Sequence, residues 1–244
     1  MEPIRKPVRI GFLVPPGNPT VEVEMIALAP PNVSVHFTRM AAHGAAGSHE
    51  GLLERTRMQI AHVAENVALL AMVRPRVIAM AHTAMSATLG AAGEAELVAR
   101  MEREHGIPFI TAFGSVLAAL AYLGAARVAL GTPYDADSTA RTKAHLEAQG
   151  IEVVSQGRLE NVKNIYDETA ARARELARRV DAPAAQAVFL SGLGMPTIAT
   201  LEAMERDLGK PVVSAAAAMM WNALRAAGAP APIAGFGRLL AGRR

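Results

Sequence analysis

The sequence contains no cysteine in its 244 residues. That excludes disulfides, thiolate nucleophiles and thiolate metal sites together. It fits a reducing compartment, so a cytoplasmic location is expected. Aromatic residues make up only 4% of the chain and charged residues 19%. A core must therefore be largely aliphatic, as expected of helices packed on a parallel sheet. Long apolar runs are also missing. No stretch reaches 18 consecutive apolar residues, so no membrane span is expected. The N-terminal MEPIRKPVRIGFLV lacks the long apolar centre of a signal peptide. The formal charge is only +3, helped by a terminal Arg238, Arg243 and Arg244 cluster. No basic stripe with interleaved aromatics occurs, which argues against a nucleic-acid partner and leaves a mild attraction for small anions.

What is present is apolar content: 51% of residues are hydrophobic, enough for one large α/β domain or two small ones. Strand-like runs are expected at Val8–Val14, Val33–Thr38, Val77–Ala81, Pro108–Thr111, Val128–Gly131, Glu152–Ser155, Ala187–Leu190 and Val212–Ser214. Amphipathic helices are expected at Glu50–Val73, Ala91–His105, Gly114–Leu123, Ser138–Gln149, Tyr166–Val180 and Pro196–Leu208. Alternating strands and helices point to βαβ units, parallel sheets and helices on both faces. The turns also repeat. Asn18 and His82 stand 64 residues apart, and Tyr134 and Leu193 stand 59 apart. The spacing predicts two pseudo-symmetric halves, residues 1–123 and 124–244, each a four-stranded parallel sheet flanked by helices. Ligands bind beyond the carboxyl ends of such strands, so the turns should meet in a cleft between the halves.

Four turns carry chemistry. After the first strand comes Pro15-Pro16-Gly17-Asn18-Pro19-Thr20-Val21-Glu22, with Asn18 a candidate ligand contact or a residue that satisfies the turn. Thr20 is a candidate helix cap. After the third strand, Ala81-His82-Thr83-Ala84-Met85-Ser86 puts a histidine at a strand mouth. Histidine titrates near neutrality and can take and give a proton, or it can simply bond a backbone carbonyl. After the fifth strand, Thr132-Pro133-Tyr134-Asp135-Ala136-Asp137 offers a phenol, free to serve a ligand or to pack on the next helix. Asp135 and Asp137 are expected to cap that helix. After the seventh strand, Ser191-Gly192-Leu193-Gly194 leads into Pro196 and Thr197, where N–H groups at a helix start can hold a carboxylate or enolate oxygen.

These turns resemble those of the aspartate/glutamate racemase superfamily, in particular its arylmalonate decarboxylase and maleate cis-trans isomerase branch. The resemblance covers nearly the whole chain. In that branch the last turn usually reads Ser-Gly-Cys-Gly, and the cysteine transfers a proton or attacks the substrate; here Leu193 stands in its place. His82 stands where the third-strand turn has cysteine or glycine. The resemblance implies that Asn18, Thr83, Tyr134 and Asn161 contact a substrate carboxylate, with Ser86 a candidate replacement for a hydroxyl lost at Ala84. It implies catalytic roles for His82 and Tyr134, and substrate contacts from Gly192, Leu193 and Gly194. No metal and no cofactor are expected. His43 and His49 flank a Gly44–Ser48 stretch suited to a closing loop, and His62, His105 and His145 are expected on the surface or satisfied.

With both thiols gone, two-thiol racemisation and cysteine addition to a double bond are excluded. A decarboxylase-like lyase acting through an enolate, with His82 as the proton donor, ranks first. A one-base isomerase or racemase, or a hydrolase or dehydratase, ranks second. A non-catalytic carboxylate-binding protein ranks third. A small carboxylate is the expected partner, and a homo-oligomer is expected.

Overall fold

The computed structural model describes residues 7–243. Residues 1–6 of the N-terminal segment read above, and Arg244 of the arginine cluster, lie outside the described residues. The first half contributes β1 (Val8–Val14), α1 (Thr20–Leu28), β2 (Val33–Arg39), α2 (Leu52–Ala61), α3 (Val63–Ala71), β3 (Val77–Met80), α4 (Thr83–His105), β4 (Phe109–Thr111) and α5 (Ala112–Leu123). The second contributes β5 (Arg127–Thr132), α6 (Ala136–Ala148), β6 (Glu152–Arg158), α7 (Ala170–Val180), β7 (Ala187–Leu190), α8 (Leu201–Leu208), β8 (Val212–Ser214), α9 (Ala215–Ala226) and α10 (Gly237–Leu240). The strands form two four-stranded sheets, ordered β2-β1-β3-β4 and β6-β5-β7-β8. All pairings are parallel. This is the expected α/β architecture.

The repeat is visible in atomic detail. β3 and β7 are buried along their whole length, as strands covered by helices on both faces must be. Gly11 of β1 and Gly131 of β5 occupy matching places. A Cβ on Gly11 would lie 2.8 Å from the Leu70 side chain of α3. One on Gly131 would lie 2.8 Å from Leu190 and 3.0 Å from Leu176 of α7. The missing side chains let a helix approach each sheet. Thr111 ends β4 and caps α5, its Oγ1 accepting from Gly114 N at 2.8 Å. Ser214 ends β8 and caps α9 in the same way, accepting from Ala217 N at 3.2 Å.

The halves are interlocked. α5 packs along α9, α4 packs against α6, α5 reaches β8 and α9 reaches β3. One buried cluster accordingly runs from Ile10 in the first half to Leu240 near the C-terminus. At roughly 1.5–3 kcal/mol per fully buried large apolar side chain, this shared core dominates cohesion.

Several elements depart from the sequence expectation. The long helix over Glu50–Val73 is two helices that meet at His62, where φ is −102° and ψ is 6°. The reason lies in their faces. α2 buries Arg55, Thr56 and Gln59, while α3 buries Val63, Asn66, Val67 and Leu70. A single straight helix could not present a polar face to one neighbour and a mainly apolar face to another along this path. α4 starts at Thr83, ahead of the expected Ala91, and passes through a non-helical Gly90 with φ 69° and ψ 173°. The expected helices from Tyr166 and Pro196 open instead as 3-10 turns, Ile165–Asp167 and Ile198–Thr200, before α7 and α8.

Candidate active site

The carboxyl ends of β1, β3, β5 and β7 point their turns into one cavity of about 40 Å³ between the halves. Its lining includes Asn18, His82, Thr83, Tyr134, Leu193 and Gly194. Four turns far apart in sequence thus converge because their strands are the central neighbours of two parallel sheets.

Asn18 is heavily engaged. Its Oδ1 accepts from Thr20 N at 2.8 Å and Val21 N at 3.1 Å, which caps α1. Its Nδ2 donates to Leu193 O at 3.1 Å, across the two halves, which leaves its second N–H without a protein acceptor among the described residues. Capping therefore falls to Asn18 and not to Thr20. The Thr20 hydroxyl instead donates to Gly194 O at 2.9 Å.

His82 is buried, and among the described residues no group hydrogen-bonds its ring. Only its backbone is held, His82 N donating to Met80 O at 2.9 Å and His82 O accepting from Met85 N at 3.2 Å. Burial pushes the imidazole down to about 4, so it rests neutral at pH 7. Its place at the N-terminus of α4 disfavours the cation further. Beside it, Thr83 Oγ1 lies 3.3 Å from the Tyr134 hydroxyl, and burial pushes that phenol up.

The remaining expected contacts fare differently. Gly192 has φ 97° and lies behind the lining, where a Cβ would come within 3.1 Å of the Tyr134 hydroxyl. Ser86 faces away from the cavity, its Oγ donating to Glu94 Oε1 at 2.5 Å. Glu94 Oε2 also meets His145 Nε2 at 3.0 Å, so His145 is an interior residue, paired at Nε2 while its Nδ1 is buried without a partner. Burial pushes the Glu94 carboxyl up, but hydrogen bonds from His145, Ser86 and Thr111 outweigh it and hold the group below its usual range. Asn161 is exposed at φ 56° and does not line the cavity. Asn164, three residues on, braces the wall instead: its Nδ2 donates to Ala46 O at 3.4 Å and its Oδ1 accepts from Tyr166 N at 2.9 Å. The N–H groups expected to hold an oxyanion before α8 are already taken. Glu24 Oε1 accepts from Thr197 N at 2.6 Å and Ile198 N at 3.0 Å. Asp135 caps α6 as expected, accepting from Ser138 N at 2.7 Å.

The sequence reading overlooked Arg55, Gln59 and Tyr166, all of which line the cavity. Arg55 and Gln59 stand four apart on α2, a signal available as a polar i, i+4 pair inside an otherwise amphipathic stretch. The Tyr166 phenol is pushed up to about 12 by burial and by its neighbour Tyr134. The 44–48 loop closes the cavity and is latched to the second half. Gly47 O accepts from Ile165 N at 2.9 Å, and His49 Nε2 lies 2.9 Å from Pro133 O. Among the described residues no group of three or more His, Asp or Glu side chains could hold a metal ion.

The pattern that defines the arylmalonate decarboxylase family matches residues 10–240. The chain belongs to that family. Its members are enzymes, and its relatives divide between two reactions. A maleate isomerase of Nocardia farcinica is 32% identical over 251 residues, covering 95% of each chain. The arylmalonate decarboxylase of Bordetella bronchiseptica is 35% identical over 172 residues, covering 67% of this chain and 70% of its own. In solved structures, a cysteine-to-serine mutant of the Nocardia farcinica maleate cis-trans isomerase, carrying a covalently bound succinylcysteine intermediate, superposes with a TM-score of 0.87. It is 28% identical and covers 97% of this chain and 99% of its own. This chain holds no thiol with which to form such an adduct.

Proposed function

We propose that this chain is a cofactor-independent lyase of the decarboxylase type, acting on a small carboxylate through an enolate, with His82 as the proton donor. The observation that carries the reading is a buried histidine ring that lines the cavity with no protein partner, beside the Thr83 and Tyr134 hydroxyls. A ring without a partner is free to meet a ligand. In the step itself, the bond from the α-carbon to one carboxylate breaks and carbon dioxide leaves. The electron pair passes into the enolate, whose oxygen accepts from Thr83 and Tyr134. His82, as imidazolium, then protonates the carbon and returns to its neutral form. The resting ring is neutral, so the proton must arrive with the anionic substrate, whose charge raises the imidazole pKa. The cavity of about 40 Å³ holds roughly three waters, which favours a small aliphatic malonate over an aryl one.

A second reading, a one-base isomerase or racemase, is favoured by the same neutral resting state, since an uncharged imidazole takes a proton more readily than it gives one. A panel of methylmalonate, phenylmalonate, maleate and a single enantiomer of a 2-substituted propionate, followed by NMR in D2O, separates the readings. Loss of carbon dioxide with one deuterium gained per product is the expected result. Deuterium exchange or isomerisation without carbon dioxide release supports the second reading. Binding with neither overturns both and leaves a carboxylate-binding protein.

A further inference from the structure

α2 buries polar residues, Arg55, Thr56 and Gln59, while its apolar Leu52, Leu53, Met58 and Ile60 are only half-buried and Glu54 and Arg57 lie outside. Amphipathic helices normally bury an apolar stripe, so a buried polar face needs a reason. Thr56 has a local one, since its Oγ1 donates to Leu52 O at 2.8 Å. Arg55 and Gln59 do not. Both are more than nine-tenths buried, both line the cavity, and they stand one helical turn apart on the same face.

The Arg55 guanidinium donates to two carbonyls, Glu50 O at 2.6 Å and Ser48 O. No carboxylate among the described residues pairs with it, although seven Lys or Arg ion pairs occur elsewhere among them. Five N–H donors cannot be exhausted by two carbonyls, and a buried cation without a counter-charge is costly. Gln59 makes no side-chain hydrogen bond among the described residues, and its Oε1 is buried without a partner. The unpaired cation matches the needs of a planar anion, and the Gln59 amide beside it can add a donor through its Nε2, which has no protein partner among the described residues.

We propose that Arg55 and Gln59 form a subsite for a second, distal anionic group of the ligand, and that this subsite sets selectivity for dianions over monoanions. The inference rests on the reading of the cavity as a small-carboxylate site. Arg55 also grips Ser48 and Glu50, so the distal group and the closed 44–50 segment share one guanidinium. Arg55 is a specificity-determining residue here, in the same cavity lining as His82.

Calorimetric titration with succinate and with butyrate, which match in chain length and differ by one carboxylate, tests it. The wild type is expected to favour succinate by roughly 10- to 100-fold, the size of a charge-assisted hydrogen bond. Arg55→Met should bring the two affinities within about threefold of each other. Arg55→Lys keeps the charge and should retain most of the preference. The readout is the ratio, which a general loosening of the loop leaves unchanged. An unaltered ratio in Arg55→Met, or equal binding of the two acids by the wild type, overturns the subsite while the small-carboxylate reading stands. Binding of neither acid to the wild type overturns both.

Discussion

His82 is held by its surroundings in a form opposite to the one its proposed donor role requires. Burial pushes it from its ordinary 6.5 down to about 4. The unfolded chain therefore binds a proton more readily than the folded one between those values. This contribution to stability is complete above pH 6.5 and is lost as pH falls towards 4, to a total on the order of 3 kcal/mol. His82→Asn should make the melting temperature fall less steeply across that window, as read by differential scanning calorimetry at stepped pH. An unchanged slope would mean that the ring is not buried as described. Ligand binding should act in the opposite direction. A bound anion stabilises the imidazolium, so titration at pH 6.5 with malonate in two buffers of different ionisation enthalpy should reveal proton uptake. No uptake would remove the source of the transferred proton.

At the scale of elements, α1 acts as a clamp on the turn after β7. Asn18, Thr20 and Glu24 reach Leu193 O, Gly194 O, Thr197 N and Ile198 N in turn. Burial pushes the Glu24 carboxyl up to about 7, more strongly than the two backbone N–H groups lower it. Its contribution to stability is greatest below pH 4.5 and is lost as pH rises through 7. Glu24→Gln keeps an acceptor for both N–H groups and should flatten the melting temperature over that range. Glu24→Ala leaves two buried donors unpaired and should cost about 2–5 kcal/mol in chemical denaturation. A loss below 1 kcal/mol would show that the clamp is not needed. This clamp also marks the limit of what the sequence discloses. Apolar runs and turns located all eight strands, because period and punctuation are local properties. α9 escaped because AAAAMMWNALRA has no polar stripe: buried almost throughout, it shows no amphipathic pattern. The convergence of Asn18, His82, Tyr134 and Leu193 followed from the strand order alone. Glu24 stayed hidden because its partners lie 173 and 174 residues away, and Arg55 and Gln59 because the local pattern does not show that their face of α2 meets the cavity. Asn161 and Ser86 were the converse: suitable residue types that local geometry turns outward or inward, away from the cavity.

On the scale of the whole molecule, the two halves cannot separate without opening the core. α5 and α9 come from different halves and pack along each other, with Tyr122 and Trp221 ring centroids 5.2 Å apart. Trp221 is the chain's single tryptophan and therefore reports on this seam. Unfolding in urea is expected to be one cooperative transition, with Trp221 fluorescence and far-UV circular dichroism giving the same midpoint. A fluorescence change that precedes the loss of helix would show that the halves part first. The cavity depends on the same seam, because His82 follows β3 while Tyr134 and Leu193 follow β5 and β7.

The central claim is that His82 moves the proton, and the most direct measurement is turnover in D2O by His82→Asn beside the wild type. Substrate is the panel member that the wild type converts. Asparagine preserves polarity and size but cannot titrate. The account predicts a loss of roughly two to four orders of magnitude in both turnover and deuterium incorporation, with the affinity for a carboxylate inhibitor largely kept. Near-full turnover by His82→Asn, with deuterium still delivered to the product, would contradict it.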